Sequence, residues 1–201
     1  MSYMKALAVA FLLILLGIEG SGQTSYKDSL QAYIKTYVET HEVVKGQNRK
    51  ELRFYPVDSS YRVTATFEKT QNGQWFEMPT SGRIKKIFKV YGIISFTLKD
   101  TSVKMNLYQS QGLMGSTEYS DYLFLPFTDG TTGVGTYESG RYIDLKTTDI
   151  KNNLVVVDFN KAYNPYCAYV KGKYNCPIPP RENFLPVAIE AGEKNFGKKT
   201  E

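Results

Sequence analysis

The sequence predicts a mostly β protein, an antiparallel β-sandwich or barrel that carries one N-terminal α-helix. Strict alternation is the first sign. In "YRVTATFE", Tyr61, Val63, Ala65 and Phe67 fall on one side and Arg62, Thr64, Thr66 and Glu68 on the other, the mark of a half-buried strand. "SVKMNLY" repeats the pattern with Val103, Met105 and Leu107. The second sign is punctuation: "QNGQ", "PTSG", "DGTTGVG" and "KNN" separate short apolar runs, as hairpin turns do.

The helix comes first in the chain. After Ser25, residues Leu30, Tyr33, Ile34, Tyr37, Val38 and His41 keep the spacing of one helical face, and Ser25-x-x-Asp28 forms a weak N-terminal cap. Beyond the two alternating stretches, strands are expected at Trp75 to Met78, Ile84 to Leu98 with a break near Gly92, and Tyr122 to Leu125. Three more are expected at Arg141 to Leu145, Leu154 to Phe159 and Pro186 to Glu190.

The first 22 residues have the grammar of a secretory signal peptide. Lys5 precedes the apolar run Ala6 to Gly17, and the small residues Gly20-Ser21-Gly22 precede Gln23. A retained anchor is the rival reading, against which the run is short for a bilayer span. The mature chain is therefore expected to begin near Gln23, to be exported to a bacterial periplasm, and to keep no stable membrane anchor. Residues 23–201 are enough for one domain with a real core. The formal charge of +5 is spread among acids, without the basic stripe that a nucleic-acid partner needs.

Most catalytic motifs fail. His41 is the only histidine, which excludes histidine metal clusters, and its place on the apolar helix face favours packing over base catalysis. "GVGTYE" lacks the third glycine and the helix of a dinucleotide fingerprint. No metal and no cofactor is expected. Cys167 and Cys176 are the only cysteines. In an exported chain their spacing suggests a disulfide, with a buried thiol pair as the alternative.

Both cysteines lie in "DFNKAYNPYCAYVKGKYNCPIPPRENFLPV", Asp158 to Val187, which shows neither a helical nor a strand period. Asn164-Pro165 forbids helix, and Pro177, Pro179 and Pro180 stiffen the chain beyond Cys176. Tyr163, Tyr166, Tyr169 and Tyr174 would then either close the end of a barrel or offer a recognition surface for sugars, peptides or small polar ligands.

"LFLPFTDGTTGVGTYESGRYIDL", "VVDFNKAYNPYCAY", "YNCPIPPRENFLPV" and "IEAGEK", in that order, resemble the domain of unknown function 1684 family, and Bacteroidetes-type exported members in particular. The family usually reads Gly-Gly-Arg where this chain has Ser139-Gly140-Arg141. The resemblance implies no activity. With the tyrosine loop, its motif positions give the candidate ligand-binding residues Tyr137, Arg141, Asp158, Asn160, Tyr163, Asn164, Tyr166, Asn183 and Glu193.

The expectation is a non-enzymatic envelope protein that binds a small polar ligand, glycan or peptide. A metal-independent hydrolase is the alternative, with Asp158, Glu193 or Cys167 as chemical groups and Arg141 orienting an anionic substrate. A structural partner in an envelope complex is the third reading. Arg141 and Asp158 are expected to lie near each other at the rim of a pocket roofed by Tyr163 to Tyr174.

Overall fold

The computed structural model describes residues 25–198. The expected signal peptide, residues 1–22, lies outside them. Helix α1 covers residues 25–40. Leu30 is buried while Ile34, Tyr37 and Val38 are half-buried, so the predicted face rests on the protein as a shallow stripe. His41 follows the helix. Its Nδ1 accepts the backbone N–H of Val43 at 3.2 Å and of Val44 at 2.9 Å, turning the chain into a 3-10 segment at Gly46–Glu51. The ring packs edge-on against Tyr37 and Tyr169. Burial, then Lys45 and Arg49, lowers its pKa to about 4, so at neutral pH it is an uncharged packing residue, as its position in the sequence implies.

Seven strands form one antiparallel sheet: β1 (Arg62–Lys69), β2 (Phe76–Met78), β3 (Lys86–Leu98), β4 (Thr101–Ser110), β5 (Tyr122–Phe127), β6 (Arg141–Lys146) and β7 (Leu154–Asp158). The order is β6-β5-β4-β3-β1-β7, with β2 paired to the outer part of β3. The sheet curls into a half-barrel. Lys99 and Asp100, both at positive φ, make the two-residue turn between β3 and β4, and Asn152 and Asn153 do the same before β7. Such turns match the twist of the strands they join. The expected break in β3 is a bulge between Val90 and Gly92. A Cβ at Gly92 would collide with the Phe67 ring, which crosses it from β1.

The concave face is filled by Ala65, Ile94, Met105, Leu107, Leu123, Leu125, Phe127 and Val157. Leu185 and Ile189 of the C-terminal segment enter this core from inside the curl, both with no exposed surface. The strand expected at Pro186 to Glu190 is absent: the Val187 carbonyl accepts from the Gly130 N–H, the Ile189 N–H donates to Asp129, and the Ile189 carbonyl and the residues after it meet Arg141. Its guanidinium donates to the carbonyls of Ile189 at 2.9 Å, of Glu193 at 3.1 Å and of Ala191. Backbone groups that a neighbouring strand would use are thus taken one by one by unrelated partners. A second cluster, Met78, Phe88, Tyr108, Phe124 and Tyr142, covers the opposite face of the sheet. A third, Val44, Leu52, Ala168 and Tyr169, seats the end of α1.

A disulfide joins Cys167 to Cys176 with Cα atoms 6.3 Å apart, the first of the two readings and one compatible with an oxidising compartment. Among the described residues, no helix is long and apolar enough to cross a membrane.

A tyrosine-walled cleft is the candidate functional site

Strand β6 sorts its side chains by the two-residue period of a strand. Arg141, Ile143 and Leu145 point into the barrel and are buried. Tyr142 and Asp144 point to the other face, where the end of α1 and the segment after Tyr163 rise on either side. Between these walls lies a cleft of about 630 Å3 lined by Tyr33, Tyr37, His41 and Glu42 from the helix and its turn, Lys86 from β3, Tyr142 and Asp144 from β6, and Tyr163, Tyr166, Tyr174 and Asn175 from the loop. The volume is that of small-molecule sites, about 300–1,000 Å3.

The backbone of Tyr163 pairs with that of Tyr142 in both directions, at 2.9 and 3.0 Å. The Tyr142 hydroxyl donates to the carbonyl of Pro177. The disulfide and the prolines then hold the far side of the loop, so that the wall is rigid by construction.

Asp144 is the polar centre. Its Oδ1 accepts from the Tyr122 hydroxyl at 2.8 Å and the Tyr163 hydroxyl at 2.7 Å, while Oδ2 has no partner among the described residues. The side chain is open to water from the cleft mouth. Partial loss of solvent around the carboxylate raises its pKa, and the two tyrosine hydrogen bonds oppose that rise. Glu42 accepts from the Tyr166 hydroxyl at 2.7 Å and does not figure among the charges acting on Asp144. The Lys86 ammonium makes no hydrogen bond or ion pair among the described residues, and partial burial lowers its pKa. Burial also raises the Tyr33 phenol to about 12.

Only Tyr163 and Tyr166, of the nine predicted ligand-binding residues, line this cleft. The others are built into the fold. Arg141 has no exposed surface, and its carboxylate partner is Asp129, not Asp158, at 3.0 Å. The expected pairing fails because the strand period turns Arg141 into the barrel. Asp158 instead accepts from the Tyr26 hydroxyl at 2.9 and 3.0 Å and from the Asn160 backbone N–H at 3.1 Å. The Asn160 amide joins that group to Asp58, accepting from its N–H at 2.9 Å and donating to its carbonyl at 2.8 Å. Asn164 donates through its side chain to the carbonyl of Lys194 at 2.8 Å. Tyr137 packs against the cluster under α1.

Asn183 works as a splice between strands. Strands β4 and β5 pair only at Tyr108 and Phe124. Where they splay, the Asn183 amide accepts from the Asn106 N–H at 2.8 Å and donates to the carbonyls of Asn106 at 3.0 Å and Pro126 at 2.7 Å.

Glu193 is sealed behind the cleft wall. It accepts from the hydroxyls of Tyr169 at 2.7 Å and Tyr37 at 3.1 Å and from the Asn164 N–H at 2.9 Å. Burial outweighs these bonds and raises its pKa to about 7. Asp158, Glu193 and Cys167, the groups a hydrolase would have used, are therefore all outside the cleft lining. Among the described residues, no three histidine, cysteine, aspartate or glutamate side chains are grouped to hold a metal.

Sequence reasoning missed Lys86, Tyr142, Asp144 and the helix tyrosines as site residues. A signal was present for two of them: alternation in "RYIDL" sets Tyr142 and Asp144 opposite Ile143 and Leu145. Lys86 left no local mark.

A family model described as "Protein of unknown function (DUF1684)" matches residues 47–194. The chain belongs to the DUF1684 family. Its fold is similar to the solution NMR structure of the uncharacterised protein from gene locus rrnAC0354 of Haloarcula marismortui, at 28% identity and a TM-score of 0.65, over 87% of this chain and 96% of that one. No curated protein matches the sequence. The matched region of this DUF1684 protein begins after α1, so the helix wall of the cleft, with Tyr33, Tyr37 and His41, lies outside it.

Proposed function

We propose that this DUF1684 protein is an exported, non-enzymatic binding domain of the cell envelope, and that the tyrosine-walled cleft takes a small polar ligand, glycan or peptide. One observation carries the reading. Asp144 stands in an aromatic cleft with one oxygen fixed by two tyrosine hydroxyls and the other free to accept from a ligand. Flat rings supply contact area and the fixed carboxylate supplies direction, the combination that small-ligand sites use. Export is supported by the apolar run after Lys5 and is compatible with the oxidised cysteines.

Thermal-shift and NMR screening of the mature protein against sugars, short peptides and small anions tests the binding role. The expected result is a hit that stabilises wild type and leaves Asp144→Asn unaffected. Hits equally strong on the variant would move the site elsewhere. Mass spectrometry of the protein from its native envelope tests export, since an intact segment 1–22 in the functional protein would contradict it.

A further inference from the structure

A second cavity, of about 550 Å3, continues the first. The two share Lys86, Tyr142, Tyr163 and Pro177, so together they make one groove with two lobes. A single small molecule needs one lobe. A linear ligand uses both.

The lobes differ in charge. Glu42 and Asp144 line the first, whereas the second is lined by Lys85 and Lys86 and by no carboxylate. Lys85 is neutralised by Glu77 at 2.5 Å. Lys86, at the junction, has no such partner among the described residues, and a lysine left unpaired beside partly desolvating walls is set to receive an anion.

The floor also argues against a peptide strand. Phe88 is paired by Phe76 and Ser110, Phe124 by Tyr108 and Asp144, and Tyr142 by Pro126 and Tyr163. At these positions an extended peptide has no edge to add to, and the outer edge of β6 is open only beyond the Tyr142–Tyr163 bridge, at Asp144. What the groove presents is side chains: ring faces, tyrosine hydroxyls, a carboxylate oxygen and an ammonium. A sugar ring, with a face of C–H groups and a rim of hydroxyls, is complementary to that set.

On the basis of the binding role proposed above, we infer that the groove binds a linear acidic glycan, with neutral sugar against the tyrosines and Asp144 of the first lobe and a carboxylate-bearing sugar beside Lys86 in the second.

The test is calorimetry and NMR titration of the mature protein with a panel of linear oligosaccharides that alternate neutral sugar and uronic acid, their methyl-esterified neutral forms, matched neutral oligosaccharides and short peptides. Acidic oligosaccharides should bind on the order of tenfold tighter than the neutral forms at low salt, and the preference should shrink as salt screens it. Lys86→Gln, a substitution at an exposed side chain, should erase the preference for acidic over neutral forms. Asp144→Asn should weaken both kinds of ligand. Equal affinity for acidic and neutral glycans, or a preference that survives Lys86→Gln, overturns the inference. Peptides shifting cleft resonances while no glycan does would overturn the glycan class and leave the binding site standing. A panel in which nothing shifts cleft resonances sinks both.

Discussion

Arg141 and Asp129 form a closed ion pair, 3.0 Å apart, with side chains 0% and 1% exposed. The pair is a clasp. Asp129 holds the Ile189 N–H at 3.1 Å through its other oxygen, while Arg141 holds three carbonyls of the same segment. Together they fix the C-terminal chain inside the barrel without a strand.

Removing one half of the clasp strands the other. Arg141→Ala should lower unfolding free energy by about 3–5 kcal/mol, read by urea denaturation. A variant that melts with wild type would mean that the carbonyls of Ile189 to Glu193 find other donors and that the clasp is dispensable.

Asn183→Ala should cost about 1–3 kcal/mol by leaving the Asn106 N–H and the Pro126 carbonyl unpaired in the splay between β4 and β5. Amide exchange at Asn106 should quicken more than exchange at Ile94 in β3. Uniform quickening would indicate global loosening instead of a local splice.

Glu193 sets a pH dependence. Its folded pKa, about 7, lies above its ordinary value of 4.5, so the native state binds more protons between those values. This contribution to stability is fully present below about pH 4.5 and is lost as pH rises through about 7, at up to about 1.4 kcal/mol per pH unit. Glu193→Gln cannot titrate, and its stability should fall less over that interval. Parallel profiles for the two proteins would assign the titration to another group.

The Cys167–Cys176 link closes a loop with a sequence separation of 9. Denatured without reductant, the protein should show no free thiol. Reduction should cost about 2.5–3 kcal/mol by chain entropy. Two titratable thiols in the unreduced protein would leave the prolines alone to stiffen the loop.

The elements that the sequence made legible were those governed by local rules. Alternation located β1 and β4, the glycine at position 92 marked the bulge in β3, and helical spacing located α1. Pro186 to Glu190 misled because its apolar residues are buried as a strand's would be, while its backbone bonds go to scattered groups far away in the chain: Tyr61, Gly130, Asp129 and, through the Ile189 carbonyl, Arg141. The polar motif residues likewise place their hydrogen bonds inside the fold. An asparagine that splices two strands and an arginine that binds three carbonyls cannot be told by type from residues that meet a ligand. Asp144 was overlooked for the converse reason: an acid on the outer face of a strand reads as solvated surface until Tyr122 and Tyr163 are brought around it by β5 and the loop. Its role depends on contacts separated by 19 and 22 residues, which no local pattern encodes.

The central claim is that ligand meets the tyrosine cleft and not the buried polar residues Arg141, Asn160 and Asn183. Chemical-shift mapping of the mature protein with the tightest hit from the oligosaccharide panel tests it most directly. Perturbations should concentrate at Tyr33 to Glu42, Lys86, Tyr142 to Asp144 and Tyr163 to Asn175. Perturbations centred on Asp129, Arg141 and the segment from Ile189 to Glu193, with the cleft silent, would contradict it.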